Sequence, residues 1–126
     1  MDAGPKWWGK LYDETRRNKV IADHLDTPAI MGAIKEEGWN HYRVLCEGPR
    51  IRTWINGVAA FDFTEKDTSI PLNGIIGLQA HGGGTFEVQF KDLKIKELPP
   101  TPNAPAWPEE AKTRNCLLYT SDAADE

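Results

Sequence analysis

Three groups of residues in this chain have types and spacings suited to chemistry. Trp7, Trp8 and Tyr12 cluster near the start, and flat aromatic rings of this kind can stack on the apolar faces of sugars. Glu14, Arg16 and Arg17 crowd the short polar stretch that follows. Gln79 and His81 stand two apart, so on an extended chain they point to the same face. Each group also has a plainer reading: packing for the tryptophans, a solvated charge run for residues 14–17, and a satisfied structural histidine for His81. Glu37 and Glu87 read as surface carboxylates. His24, His41 and His81 are far apart, with none of the paired spacing a metal centre shows. No Gly-x-Ser-x-Gly elbow occurs. Gly82-Gly83-Gly84 lacks the following helix and the Lys-Ser/Thr of a phosphate loop.

The elements that position these residues read as strands. From His41 the chain alternates, with Tyr42, Val44 and Cys46 on one face and Arg43, Leu45 and Glu47 on the other. Gly48-Pro49 marks a turn. Ile51, Thr53 and Ile55 then alternate against Arg50, Arg52 and Trp54, and Asn56-Gly57 is a strong signal for a type I′ hairpin. A strand over Val58–Phe63 follows, then a polar loop over 64–72. Further strands are expected at Ile75–Ala80 and Phe86–Phe90, with a change of parity near Lys91-Asp92 that suggests a bulge or bend. Before this run, Leu11-Tyr12 and Lys19–Ala22 read as short extended pieces. Ile30 and Ile34 allow one helical turn within residues 27–38, where an extended loop is the equal alternative. Trp39 and Asn40 read as anchors of the strand entry, and Cys46 as a buried thiol. Strands at this spacing without a long helix predict an antiparallel all-β sandwich.

The 126 residues suffice for one small domain. No apolar run approaches the roughly 20 residues of a membrane span, and the first residues lack a signal-peptide pattern. The net charge of −4 argues against nucleic acid as a partner. A proline-rich linker is expected over 99–115.

Residues 116–126 resemble the in-frame translation of a transposase adapter used in sequencing libraries. On that reading they stand outside the fold, and the chain is a gene fragment whose Met1 is an internal methionine. Setting them aside leaves 16 acids against 15 bases. The acidity then mostly disappears. Cys46 remains as a lone cysteine, without an internal disulfide.

Four stretches in order, Gly38-Trp39-Asn40-His41-Tyr42, Trp54-Ile55-Asn56-Gly57, Gly77-Leu78-Gln79-Ala80-His81 and Phe86–Ile95, resemble the 3-keto-disaccharide hydrolase domain family. Residues 8–17 look like that family's central loop. Lys91-Asp92 departs from the Arg-Asn more usual there. The resemblance covers about residues 3–98. It implies a concanavalin A-like jelly roll, incomplete at its N-terminus, whose isolated C-terminal part would be prone to aggregate or partly unfolded. It also implies cleavage of glycosides that carry a ketone at C3, by hydrolysis or by elimination. In that chemistry His81 or Glu14 is the expected base. Arg16, Arg17 and Gln79 are the expected donors to an enolate oxygen, and Trp7, Trp8 and Tyr12 the sugar-binding surface. The alternatives are a non-catalytic carbohydrate-binding module or an inactive fragment. No cofactor is identified and a divalent metal stays open. A carbohydrate is the expected partner, a periplasmic or extracellular location is implied by the family, and oligomeric state is not readable.

Overall fold

The computed structural model describes residues 5–99 and, as backbone alone, residues 115–120. Most of the expected linker and residues 121–126 therefore lie outside the described residues. A 3-10 turn at Pro5–Trp7 leads into β1 (Leu11–Asp13) and β2 (Lys19–Ala22), an antiparallel pair. The short helix α1 (Thr27–Ala33) comes next, then β3 (Tyr42–Glu47), β4 (Arg50–Ile55), β5 (Val58–Thr64), β6 (Leu93–Glu97) and β7 (Asn115–Thr120). The last five form one sheet in the order β5-β4-β3-β7-β6, antiparallel at every pairing. The fold is all-β with one helix, as the alternation predicts.

Local chemistry accounts for most of these elements. The β4–β5 hairpin turns at Asn56 and Gly57, whose φ angles of 49° and 82° are both positive, as a type I′ turn requires. The Asp26 side chain accepts from the Ala29 amide at 3.0 Å and Pro28 sits in the first turn of α1, both favourable at a helix start. Thus 27–33 is a helix rather than the alternative loop. Asn56 then ties three segments together. Its Nδ2 donates to the Ala33 carbonyl at 2.7 Å and to Asn40 Oδ1 at 2.8 Å, and its Oδ1 accepts from the His41 amide at 2.8 Å. Asn40 also exchanges two 2.8 Å bonds with the Lys35 backbone. It anchors the entry to β3 as expected.

The core lies between α1 and the β4–β5 hairpin. Ile30, Ile55 and Ala60 are fully buried and Ile34 nearly so, with Tyr42 and Val58 packed against them. Cys46 is a buried thiol, as expected. On the other face of the sheet, Arg50 pairs with Asp62 at 2.6 Å, Arg52 pairs with Glu47, and the Trp54 ring lies beneath the Arg43 guanidinium at 4.7 Å.

Two expectations fail. Ile75–Ala80 and Phe86–Phe90 are not strands. A strand needs a neighbouring backbone to take up its amides and carbonyls. The place beside β3 is filled by β7, whose register sets Tyr42 opposite Thr120 and Glu47 opposite Asn115. Their apolar side chains stay in water: Ile75 is 98 % exposed, and Ile76, Leu78, Phe86, Val88 and Phe90 are 40–50 % exposed. With Phe86–Phe90 outside the sheet, the expected bulge near Lys91-Asp92 has no ladder to interrupt, and Asp92 takes a positive φ of 53°.

Candidate functional site

An open cavity of about 170 Å³ lies where the β1–β2 hairpin meets the ends of β4 and β5. Its apolar wall comes from Leu11, Ile21, Pro49, Ile51, Phe63 and the 70–72 segment, and its polar wall from Tyr12, Asp13, Arg16 and Glu65. Strand alternation explains part of this. Ile51 and Phe63 stand opposite each other in the β4–β5 register, and Tyr12 is held by its pairing to Val20. The 65–72 segment is fastened over the edge by the Glu65 amide donating to the Pro49 carbonyl at 2.9 Å. An Asp67 turn, which accepts from the Ser69 amide at 3.0 Å, continues it.

Arg17 organises the polar wall. Its Nη2 donates to Glu65 Oε2 at 2.6 Å and its Nε stands 3.3 Å from Asp13 Oδ2. Asp13 Oδ2 is buried without a hydrogen bond, so this ion pair is what meets its charge. The bond to Glu65 holds the Arg17 pKa above its ordinary value. For Glu65, burial pushes the carboxyl up, but the bonds from Arg17 and the Asp67 amide outweigh it and hold the group below its usual range. Glu65 is thus ionised at neutral pH. Arg16 lines the cavity, where its charge helps hold the Asp67 carboxyl below its usual range, and it makes no hydrogen bond or ion pair among the described residues.

The structure separates the expected site residues. Tyr12 and Arg16 share the cavity, while Arg17 is engaged behind its wall. Glu14 is exposed on the turn after β1 and is not part of the lining. Trp7 and Trp8 lie on the other side of Gly9. The Lys10 ammonium stands 5.7 Å from the Trp7 ring, and the Trp8 carbonyl meets His24 Nε2 at 2.6 Å. Gln79 is exposed, and His81 Nδ1 contacts the Gly82 carbonyl at 2.5 Å, both outside the cavity. Sequence reasoning missed Asp13 and Glu65. Asp13 immediately follows Tyr12 on the same short strand, which was a usable signal. Glu65 had none, because only the fold brings it to Arg17. No cluster of three or more potential metal ligands stands among the described residues, and no described helix is long and apolar enough to cross a membrane.

No curated protein and no solved structure matches this sequence. One family does: its 3-keto-alpha-glucoside-1,2-lyase-like domain matches residues 2–96, a span that holds the whole cavity and every expected site residue. The chain belongs to the 3-keto-alpha-glucoside-1,2-lyase-like domain family.

Proposed function

We propose that this domain cleaves the glycosidic bond of a sugar oxidised to a ketone at C3. The observation that carries the reading is a cavity whose wall holds the Asp13 and Glu65 carboxylates together with Arg16, inside a domain of that family. A C3 ketone acidifies the proton at C2. A base removes that proton, the electrons move to the ketone oxygen as an enolate, and the enolate re-forms the ketone as the C1–oxygen bond breaks. The aglycone leaves as an alcohol once it is protonated, and the sugar keeps a C1=C2 double bond. Addition of water across that bond completes a net hydrolysis.

The cavity supplies two of the needed parts. The carboxylate of Asp13 or of Glu65 can accept the C2 proton, as general base chemistry requires. Arg16 can donate to the developing enolate oxygen, where a fixed cation is worth most. Tyr12 offers a ring face and a hydroxyl to the sugar. His81 and Glu14 stand outside this arrangement, which moves the proposed base role to the carboxylates in the wall. A carbohydrate is the proposed partner, and an exported location fits a domain that acts on sugars.

A non-catalytic sugar-binding role is the second reading. It is favoured by the pairing of both wall carboxylates with Arg17, which engages them and lowers the basicity of Glu65. Turnover separates the two. The full chain is incubated with a 3-keto-glucoside and the released alcohol is measured. Asp13→Asn and Glu65→Gln are expected to identify the base by a loss of about 10²–10⁴-fold in one of them. Saturable binding without product would establish the binding reading instead.

A further inference from the structure

The two walls of the cavity are chemically unlike. All the side chains in its lining that can donate or accept a hydrogen bond come from residues 12–16 and from Glu65. The rest of the lining is Leu11, Ile21, Ile51, Phe63, Ile70 and Leu72, with two prolines. The backbone behind this apolar side is engaged as well. β4, which carries Ile51, is paired with β3 on one side and β5 on the other, so its amides and carbonyls are taken up in the ladders. The Pro49 carbonyl accepts from the Glu65 amide at 2.9 Å, and the Ile70 amide donates to the Asp67 carbonyl at 3.2 Å. Ile21 has no partner in the β1–β2 register, where Leu11 stands opposite Ala22 and Tyr12 opposite Val20. A bulge at such a point re-aims a side chain, and Ile21 joins the cavity lining.

The volume, about 170 Å³, is that of one ring. An apolar cavity of roughly 150 Å³ lined by Leu, Ile and Phe is enough to hold benzene. A glycoside brings two parts to such a site. The keto-sugar carries the ketone and several hydroxyls, which need the Asp13, Arg16 and Glu65 side. Arg16 is exposed, so that side reaches the mouth of the cavity, where the sugar keeps its remaining hydroxyls in water. The other part is the group on the C1 oxygen.

We propose, resting on the cleavage reading above, that this group is a single apolar ring seated against Ile51, Phe63 and Leu72. The substrate is then a 3-keto-glycoside of an apolar ring alcohol, not of a second sugar. A second sugar ring is of similar size, but each hydroxyl turned to this wall would lose water and find no donor or acceptor in its place. The bond changes are those already given: the apolar ring leaves with the C1 oxygen as an alcohol.

Binding is measured apart from turnover, so that failure of the sugar chemistry and failure of this inference are distinguishable. Two 3-keto-glucosides are compared in the full chain, one of cyclohexanol and one whose C1 oxygen carries a second glucose. Cyclohexanol is no better a leaving group than a sugar hydroxyl, so a preference for it reports the fit of the ring. In an apolar pocket one added hydroxyl lowers selection by up to about 10²-fold. The cyclohexyl compound is therefore expected to bind at least about tenfold more tightly and to shift the methyl resonances of Ile21, Ile51 and Leu72. Leu72→Asn, on a segment outside the strands, should remove most of that preference, and Leu72→Met should keep it. This preference without any release of alcohol would support the inference and count against the proposed reaction alone. Three results would overturn the inference: disaccharide binding as tight as cyclohexyl binding, no cyclohexyl binding at all, or cyclohexyl binding that leaves those methyls unmoved.

Discussion

Replacing Gly9 by alanine tests how the aromatic turn is seated on the sheet, and its cost can be worked from two observations. Gly9 has a φ of +76°, a left-handed conformation that costs a residue with a side chain about 1–2 kcal/mol. A methyl group there would also lie 2.8 Å from Ala60 Cβ and 3.0 Å from Ile55 Cδ1. Both neighbours are fully buried. Ile55 offers the end of a flexible side chain, but the Ala60 Cβ is fixed to the backbone of β5, so a strand must shift. Such overpacking costs about 1–3 kcal/mol. The sum is about 2–5 kcal/mol, a large share of the roughly 5–15 kcal/mol that holds a small domain folded. Urea unfolding followed by tryptophan fluorescence reads it directly. With a slope of about 2 kcal/mol per molar, the midpoint should fall by about 1 M or more. Gly32→Ala is the control: it sits in α1 with nothing within 4 Å of the added methyl, and should gain about 0.5–1 kcal/mol. A Gly9→Ala midpoint within about 0.2 M of the parent would refute the reasoning, because neither strain nor contact would then be present.

Three further outcomes follow from other parts of the molecule. Asn56→Ala removes the bonds to Ala33, Asn40 and His41; at about 0.5–1.5 kcal/mol each, thermal unfolding should show a loss of about 2–4 kcal/mol. Asp62 and Glu65 both titrate below their ordinary values in the folded chain: the hydrogen bond from Arg50 leads for Asp62, and for Glu65 the bonds from Arg17 and the Asp67 amide outweigh burial. Depressed carboxylates add stability above their unfolded pKa values, about 3.9–4.3, and lose it as pH falls through the lower folded values. Unfolding midpoints measured from pH 6 down to 2 should therefore drop below about pH 4, and Asp62→Asn with Glu65→Gln should flatten that drop. Arg16→Ala should cut turnover of a 3-keto-glucoside by about 10²–10³-fold without moving the unfolding midpoint, with Arg16→Lys recovering part of it.

How much of this was legible in the sequence depended on how local the determinant was. The β3–β4–β5 meander was readable because alternation, Gly48-Pro49 and Asn56-Gly57 are all short-range signals. Helix α1 was balanced against a loop because its decisive feature, the Asp26 cap, lies just outside the stretch whose periodicity was weighed. Ile75–Ala80 and Phe86–Phe90 read as strands for a sound reason, their β-forming side chains. Yet a strand exists only with a partner, and pairing is set by competition across the whole sheet. At the site, Tyr12 and Arg16 were legible as neighbours on one short loop. The ion pairs of Arg17 with Asp13 and Glu65 were not, because Glu65 arrives from the far end of β5. His81 and Gln79 looked like site residues on the assumption that their segment is a strand. Their place in the structure follows from that segment standing outside the sheet.

The central claim is that the cavity between the β1–β2 hairpin and the ends of β4 and β5 removes the C2 proton of a 3-keto-glycoside. The most direct measurement compares turnover by the full chain of a 3-keto-glucoside carrying hydrogen at C2 with one carrying deuterium there. The account predicts release of the C1 alcohol, slowed by deuterium at C2 and lost in Arg16→Ala. Alcohol release at equal rates from the two substrates, with Arg16→Ala as active as the parent, would contradict it.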